Sequence, residues 1–136
     1  MSVRVLMGTA YGHTSAVTTY SPTLYLECRM PVGSALELPE SAADIAAYVV
    51  SGRLKIARHS YPAVVMLVAC PGKADRLEIE DDTHLMIIGG DPVGARYVWW
   101  NFVSRSRERI EKAKRDWKAG RFATVPGDSE FIPLPD

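Results

Sequence analysis

Histidine is the residue type with the widest chemical use in this chain, because an imidazole can bind a metal ion or move a proton near neutral pH. The sequence contains three histidines, His13, His59 and His84. No pair of them has the short spacing that ligands on one strand or helix would need. Folding could still bring two of them together with Glu27 or Asp82, so a metal site of that kind remains an open alternative. We interpret all three as surface or strand-end residues.

The two cysteines, Cys28 and Cys70, are too few for a disulfide framework. Both fall in apolar, strand-like runs, so we predict that both are reduced residues of the core. A nucleophilic Cys28 would need a neighbouring base and a lowered pKa, and the apolar face of a strand supplies neither. The glycine-rich segment 89–94 lacks the spacing of a phosphate-binding loop and is interpreted as a connection. These patterns predict no catalytic and no cofactor-binding residue.

The composition is that of one folded domain. The chain has 136 residues, of which 47% are hydrophobic and 24% charged, so it can bury a core and is not a disordered protein. The longest wholly apolar run, residues 63–70, is far shorter than the roughly 18 residues that a membrane span needs. Residues 1–9 lack the pattern of a signal peptide. We therefore expect a cytoplasmic protein without a membrane partner.

The zero net charge combines two regions of opposite sign. Residues 104–121 contain eight basic and three acidic side chains, so the rest of the chain is acidic. The basic charges are spread around the predicted helix and no motif for reading nucleic acid accompanies them. We therefore expect this segment to be a solvated or docking face, and we do not expect nucleic acid as a partner.

Alternating hydrophobicity predicts a β-rich fold. Residues 23–30 place Leu24, Leu26, Cys28 and Met30 on one face, which is the period-two pattern of a half-buried strand. Residues 47–50 and 54–56 read as two arms of a hairpin around Ser51-Gly52. The continuous run 63–70 predicts a central strand covered on both faces. Further short strands are predicted at 36–38, 77–79, 85–88 and 96–103. Eight or more short strands indicate an all-β sandwich or barrel.

One amphipathic helix is predicted over residues 104–118. Val103, Ile110 and Trp117 recur every seven residues and form a narrow apolar stripe. Ser104 or Asn101 can serve as its N-cap. Residues 123–136 contain three prolines and are predicted to form an extended tail that needs a surface to lie on.

Large apolar side chains of the helix, of the tail and of the segment before the helix are candidates for an interface. They are Trp99, Trp100, Ile110, Trp117, Phe131, Ile132 and Leu134. A tryptophan cluster could also form a ligand platform, although it serves more often as a packing anchor.

Two stretches carry a resemblance to a known family. They are Trp99-Trp100-Asn101-Phe102 and the ending from Pro126 to Pro135, which contains Pro-Gly-Asp and Phe-Ile-Pro-Leu-Pro. Together with the strand pattern they resemble the C-terminal domain of the pirin family. The resemblance implies a cupin-like double-stranded β-helix, a jelly roll of two antiparallel sheets, over residues 1–122, followed by the tail 123–136. A typical pirin has two such domains, and the N-terminal one carries a metal site of histidines and a glutamate. That domain is associated with quercetin dioxygenase-like activity or transcriptional co-regulation.

The cupin metal motif can be laid on this sequence residue by residue. Its two framework glycines fall on Gly33 and Gly52, but its three ligand positions fall on Pro39, Ser41 and Ile45. A proline, a hydroxyl and an aliphatic side chain cannot replace two imidazoles and a carboxylate around a divalent ion. The turn 71–72, where the motif's second half would begin, is followed by residues 73–76 without the expected histidine. The resemblance therefore predicts a cupin domain with no metal and no cofactor.

These observations predict a structural or regulatory partner of a metal-bearing cupin half, and for this chain alone they favour no enzymatic activity. The expected partners are a second copy of the chain, in a homo-oligomer, or a metal-bearing cupin chain. Two alternatives remain open at this point, a metal-dependent quercetinase-like dioxygenase and a cupin that binds a small aromatic ligand.

Overall fold

The computed structural model describes residues 1–70 and 75–135. It divides into two compact units, Met1–Val93 and Gly94–Asp136. The predicted division into residues 1–122 and 123–136 remains a prediction. None of the helices among the described residues has the length and apolar character that crossing a lipid bilayer requires.

The first unit is built from antiparallel strands. They are β1 (Ser2–Met7), β2 (Thr9–Ala10), β3 (His13–Thr14), β4 (Thr23–Met30), β5 (Ala35–Glu37), β6 (Asp44–Ile56), β7 (His59–Pro62), β8 (Val65–Val68) and β9 (Arg76–Gly90). The main sheet has the order β1-β4-β9-β6-β7, with β5 paired to β9 and β8 paired to β6. Strands β2 and β3 form a separate hairpin.

Two long strands, β6 and β9, pair with each other through most of their length and link two layers. The first part of β6 pairs with β8 and its last part with β7. The first part of β9 pairs with β5 and its last part with β4. One layer is therefore β1-β4-β9-β6-β8 and the other is β5-β9-β6-β7. This double layer matches the predicted all-β, cupin-like jelly roll.

The change of layer depends on a close approach between Gly52 of β6 and Thr83 of β9. Gly52 has a φ of +86°, and a Cβ at this position would lie only 2.7 Å from the Thr83 Cα. The Thr83 hydroxyl is buried; it accepts a hydrogen bond from the Arg53 N–H at 3.0 Å and donates to the Asp81 carbonyl at 2.7 Å. The register of β6 against β9 shifts at these residues, as expected where a bulge bends a strand.

The core lies between the two layers. Leu24, Leu26, Cys28 and Met30 are all buried, which confirms the predicted face of residues 23–30. Side chains from the other strands complete the core, among them Val49, Leu54, Leu77, Leu85 and Ile87. Burial in these apolar surroundings, followed by the negative charge of Glu27, raises the pKa of the Cys28 thiol to about 11.

The predicted hairpin at Ser51-Gly52 was wrong. Residues 44–56 form the single strand β6, and the turn to β7 comes later, at Ala57 and Arg58. The positive φ of Gly52 produces a bulge inside a continuing strand, so the turn-like dipeptide bends the chain without reversing it. The separately predicted strands 77–79 and 85–88 likewise form the one strand β9.

The predicted central strand at residues 63–70 was also wrong. Only Val65–Val68 is a strand, and in the described part of the chain it pairs with β6 alone, at the edge of its layer. Met66 and Val68 are 53% and 74% exposed, and Cys70 is exposed as well, contrary to its predicted place in the core. Apolar residues on both faces of a strand predict that both faces are buried, but in the described part of the chain Met66 and Val68 are exposed.

The second unit contains a short hairpin and one helix. The hairpin pairs β10 (Tyr97–Trp99) with β11 (Phe102–Ser104), and the helix α1 spans Arg107–Lys118. The helix begins three residues later than predicted because its N-cap is Ser106, whose side chain accepts from the Arg109 N–H. Asn101 lies in the hairpin turn, whereas Ser104 and the 62%-exposed Val103 belong to β11. Ile110 is the buried residue of the helix.

Replacement of Gly52 by alanine should destabilise the first unit strongly. The added Cβ meets backbone atoms of β9, and the positive φ adds about 1–2 kcal/mol for a non-glycine residue. We expect urea unfolding to give a loss of at least about 3 kcal/mol for Gly52→Ala. Gly33→Ala is the matched control, since Gly33 also has a positive φ but no atom lies within 4 Å of its added Cβ. Equal losses for the two variants would contradict the role assigned to the close approach.

The two cysteines should differ in reactivity. A thiol reagent should label Cys70 in the native protein within minutes, and it should label Cys28 only after unfolding, because Cys28 is buried and its pKa is raised. Equal labelling of both thiols in the native protein would contradict this prediction. A Cys70→Ser variant identifies which thiol is labelled.

The raised pKa of Cys28 also predicts a pH dependence. The folded pKa of about 11 lies above the ordinary value of 9.0. Below pH 9 the thiol is therefore neutral in both the folded and the unfolded state, and the free energy of unfolding does not depend on its ionisation. Above pH 9 the unfolded state gains stability by ionising, so the free energy of unfolding should fall as pH rises toward 11. We expect the difference in unfolding free energy between wild type and Cys28→Ala to narrow between pH 8 and pH 10.5. A constant difference would contradict the assignment.

Candidate functional site

The positions of the cupin metal motif carry no donor set for a divalent ion. Ile45 belongs to β6, is 8% exposed and forms part of the core. Pro39 and Ser41 lie in the connection between β5 and β6. Neither a proline ring nor an aliphatic side chain can donate an electron pair to a metal, and a lone hydroxyl is a weak ligand. The residues at these positions therefore do not fit the metal that the motif holds.

The second half of the motif is described only in part, because residues 71–74 lie outside the described residues. The residues that follow them serve the fold. The Asp75 carbonyl accepts from the Leu38 N–H at 3.1 Å, and Arg76 Nη1 lies 3.3 Å from Glu37 Oε1. These contacts hold the β5 segment beside the start of β9.

The three histidines lie on different strands, with His13 on β3, His59 on β7 and His84 on β9. Of the two acids considered with them, Glu27 lies near His84, with 3.2 Å between Glu27 Oε1 and His84 Nε2 and no hydrogen-bond geometry. The Asp82 carboxylate accepts instead from the Val32 N–H at 2.9 Å. Within residues 1–70 and 75–135, no three His, Cys, Asp or Glu side chains are grouped closely enough to hold a metal ion.

Glu27 is the centre of an ion-pair network on the side of the sheet that faces away from the core. Its carboxylate lies 3.1 Å from Arg4 Nη1 and 3.0 Å from Arg29 Nη2. The Glu27 side chain is only 17% exposed, whereas the two arginine side chains are 73% and 66% exposed. Both carboxylate oxygens are therefore occupied by guanidinium groups, and the network presents exposed positive charge.

Next to this network lies an apolar surface that sequence analysis did not identify. Strand registers place two rows of side chains opposite to the core, and we call them the outer face: Met7, Tyr25, Ile88, Ala46 and Val68 in one row, and Met86, Tyr48 and Met66 in the other. Ile88, Met66 and Val68 are exposed. The signal was present in residues 85–88, where Leu85 and Ile87 fill the core while Met86 and Ile88 are also apolar. Apolar residues on both faces of a strand predict that both faces are contact surfaces, and the outer one is exposed in the described part of the chain.

The second unit has an aromatic cluster of its own. Trp117 of the helix packs its ring within 5.2 Å of Trp100, 6.3 Å of Phe102, 5.4 Å of Phe122 and 6.0 Å of Phe131, measured between centroids. Most of these pairs are edge-to-face, the geometry that the aromatic quadrupole favours. The cluster joins the hairpin, the helix and the tail of this unit.

The predicted interface residues fall into two groups. Trp99, Trp100 and Trp117 pack against other aromatic rings of the second unit, and Ile110 is buried. Phe131 and Ile132 are 59% and 57% exposed, and Leu134 is half-buried. The Trp117 indole N–H donates to the Ile132 carbonyl at 2.8 Å, so the tail lies on the helix of its own unit. Whether any of these residues forms an interface stays a prediction.

A concave pocket of about 290 Å³ lies beside the helix end of the second unit. Its apolar walls include Trp117, Phe122 and Phe131, and its polar rim includes Asp128 and Glu130. The first unit has an open pocket of about 330 Å³ lined by Arg29, His84 and Asp82, among others.

The basic charge of the helix is partly compensated inside the second unit. Asp116 accepts from Lys112 and from Arg121, and these hydrogen bonds hold the pKa of its carboxyl below the usual value. A hydrogen bond from the Ser106 hydroxyl lowers the pKa of Glu108 in the first turn. This pairing is the ordinary behaviour of a solvated helix face.

Removal of the Trp117 N–H should release the tail. Trp117→Phe keeps an aromatic ring in the cluster but loses the hydrogen bond to Ile132, which is worth about 1 kcal/mol. We expect a nonspecific protease to cleave the native tail roughly five times faster in this variant, as 1 kcal/mol implies. Trp99→Phe is the control, because Trp99 stacks on Phe102 of the hairpin. Wild-type cleavage rates in Trp117→Phe would contradict the anchoring role.

Comparison with known proteins gives a consistent assignment. A model of the Pirin C-terminal cupin domain family matches residues 25–123. A pirin-like protein of Caulobacter vibrioides is 39% identical over an alignment that covers 100% of this chain and 48% of that protein. A second pirin-like protein of that organism is 28% identical, with coverage of 73% of this chain and 37% of the relative.

A solved structure of a quercetin 2,3-dioxygenase from Acinetobacter baumannii superposes with a TM-score of 0.83 at 22% identity, covering 98% of this chain and 47% of that one. At this identity the likeness shows the fold alone, and it confirms the cupin jelly roll. The chain spans about half the length of the curated relatives it matches. The family match over most of the chain and the 39% identity along its full length show that this chain belongs to the Pirin C-terminal cupin domain family.

Proposed function

We propose that this chain is a cupin half without a metal site of its own, which acts as the structural and regulatory partner of a metal-bearing cupin half. The observation that carries the proposal is the replacement of the motif's donor positions by Pro39, Ser41 and Ile45 inside an intact jelly roll. A fold whose core is filled by Leu and Ile side chains does not need a metal to be stable. The framework is thus kept for its shape and its surfaces.

The lengths of the relatives support the same proposal. Because this chain covers 48% of the pirin-like protein of Caulobacter vibrioides, about half of that relative lies outside the match. In such an arrangement one half supplies the chemistry and the other supplies a rigid surface against which the first is packed. The apolar outer face of the first unit is a surface of that kind.

A dioxygenase activity of this chain alone has less support. The quercetin 2,3-dioxygenase of Acinetobacter baumannii shares the fold at 22% identity, and a shared fold does not carry a shared activity. In the described residues, moreover, the motif positions offer no ligands through which a metal could act.

The proposal is tested by a chimera in which this chain replaces the matched part of the pirin-like protein of Caulobacter vibrioides. We expect the chimera to unfold in one cooperative transition within about 5 °C of the parent, because a loss of 1–2 kcal/mol moves the Tm of a protein of this size by only a few degrees. The same chimera with Gly52→Ala should still unfold in one transition, with both halves melting together at a lower temperature. Two independent transitions, one of them at the Tm of this chain alone, would contradict the partnership.

A second candidate, the binding of a small aromatic ligand, is favoured by one observation, the aromatic pocket beside Trp117. A planar ligand seated on Trp117, Phe122 and Phe131 should quench tryptophan fluorescence in a saturable way. With quercetin as the probe, we expect most of this quenching to disappear in Phe131→Ala, because the substitution removes one aromatic wall of the pocket. Unsaturable quenching, or equal quenching in wild type and variant, would remove this candidate.

A further inference from the structure

We propose that the pocket beside Trp117 binds an organic cation of the quaternary ammonium class. The inference rests on the ligand-binding candidate above and names the class of ligand that the same pocket selects. Three observations carry it: the accessible aromatic rings of the pocket, the two acidic residues at its rim, and the cations that other rings of this unit already hold.

The aromatic walls of the pocket present ring surface that the packing of this unit leaves accessible. Phe122 stacks on Phe102 of the hairpin, with 5.8 Å between the ring centroids, and Phe131 stacks on Trp117 at 6.0 Å. Each of the two phenylalanines is thus held by one neighbour, yet 45% of Phe122 and 59% of Phe131 remain exposed. The face of an aromatic ring carries partial negative charge, so these rings attract a cation as well as an apolar group.

The rim of the pocket adds acidic residues and no basic ones. Asp128 and Glu130 both line it, and none of the other lining residues is a lysine, an arginine or a histidine. In the described part of the chain, neither rim acid has a basic side chain within 4 Å, whereas Glu111 and Asp116 of the helix are both paired with lysines. The nearest arginine in sequence, Arg121, is bound to Asp116. The positive charge of the helix is therefore not supplied to the rim.

Other aromatic rings of the second unit already hold cations of the helix. Lys114 Nζ lies 4.2 Å from the centroid of the Trp99 ring, and the guanidinium carbon of Arg107 lies 4.8 Å from that of Tyr97. Both distances fall within the roughly 6 Å over which a ring attracts a cation. Among the described residues, no lysine or arginine lies over the two phenylalanine rings of the pocket. Their accessible faces are therefore available to a cation from solution.

Aromatic walls and an acidic rim together select a weakly hydrated cation. A metal ion would need several oxygen ligands at fixed distances, whereas the Asp128 carboxylate is already used to accept from the Glu130 N–H at 2.8 Å. A trimethylammonium group spreads its charge over methyl groups that pack on aromatic rings, and the pocket of about 290 Å³ has room for it. A neutral ligand would use the rings but gain nothing from the two carboxylates.

The test is an NMR titration of the full chain with two probes, choline and its neutral isostere, an alcohol in which a tert-butyl group replaces the trimethylammonium group. The reporter is the indole N–H resonance of Trp117, identified by its loss in Trp117→Phe. We expect a saturable shift with choline and a dissociation constant at least about tenfold lower than that of the alcohol, the equivalent of about 1.4 kcal/mol. Sodium chloride at equal concentration controls for ionic strength.

Variants separate the contribution of the ring from that of the charges. Phe131→Leu keeps an apolar wall without a ring, so it should weaken choline binding about fivefold and leave the alcohol nearly unchanged. Asp128→Asn combined with Glu130→Gln removes both rim charges and should weaken choline binding about fivefold at low salt, and less in about 0.5 M salt. The matched control is Glu111→Gln, which removes the same charge from the helix, outside the pocket, and should bind choline like the wild type. Circular dichroism verifies that each variant is folded.

Two results would overturn the inference. They are equal affinities for choline and the alcohol, and the absence of a saturable shift in the folded wild type up to about 50 mM choline, where even a weak complex would form. If quercetin still quenched saturably in the wild type and not in Phe131→Ala, the pocket would remain a ligand site and only the cation would be removed. The chimera tests the partnership of the two cupin halves independently of both.

Discussion

The close approach of Gly52 to Thr83 is the constraint on which the rest of the first unit depends. At this point β6 and β9 bend together and pass from one layer to the other, and only a residue without a Cβ leaves room for the β9 backbone. The Thr83 hydroxyl satisfies the Arg53 N–H that the bulge would otherwise leave unpaired. Both faces of the jelly roll follow from that bend, with the core on the inside and the outer face on the other side.

The sequence was sufficient to predict what is local. Strict alternation identified the buried face of residues 23–30, and a seven-residue stripe identified the helix that ends at Lys118. What it could not predict depends on partners distant in sequence. Gly52 looks like a turn residue until β9 lies beside it. Residues 63–70 look like a central strand, but among the residues that the structure describes β8 pairs with β6 alone. The start of the helix was misplaced for a local reason, because residues 102–104 form the second strand of the hairpin and the helix begins only after its N-cap, Ser106.

In the candidate site, too, the features of single residues could be predicted from the sequence and those that depend on several strands could not. The loss of donors at Pro39, Ser41 and Ile45 could be read from the sequence because ligand identity is a property of single residues, and the structure adds that Ile45 is a core residue. The outer face could not be read in this way. Tyr25, Glu27 and Arg29 alternate like an ordinary solvated face, and only the registers of β9, β6 and β8 reveal that the apolar side chains beside them are contiguous. A surface is a property of several strands together.

The central claim is that this family member keeps a cupin framework while its motif positions have become part of the fold. The most direct measurement is the metal content of the chain purified without chelators from a medium supplemented with iron, copper, nickel, manganese and zinc. The account predicts that the sum of these metals stays below about 0.1 equivalents per chain, because imidazole and carboxylate ligands are needed at the motif positions. About one equivalent of any of them, retained through gel filtration and removed together with thermal stability by a chelator, would contradict it.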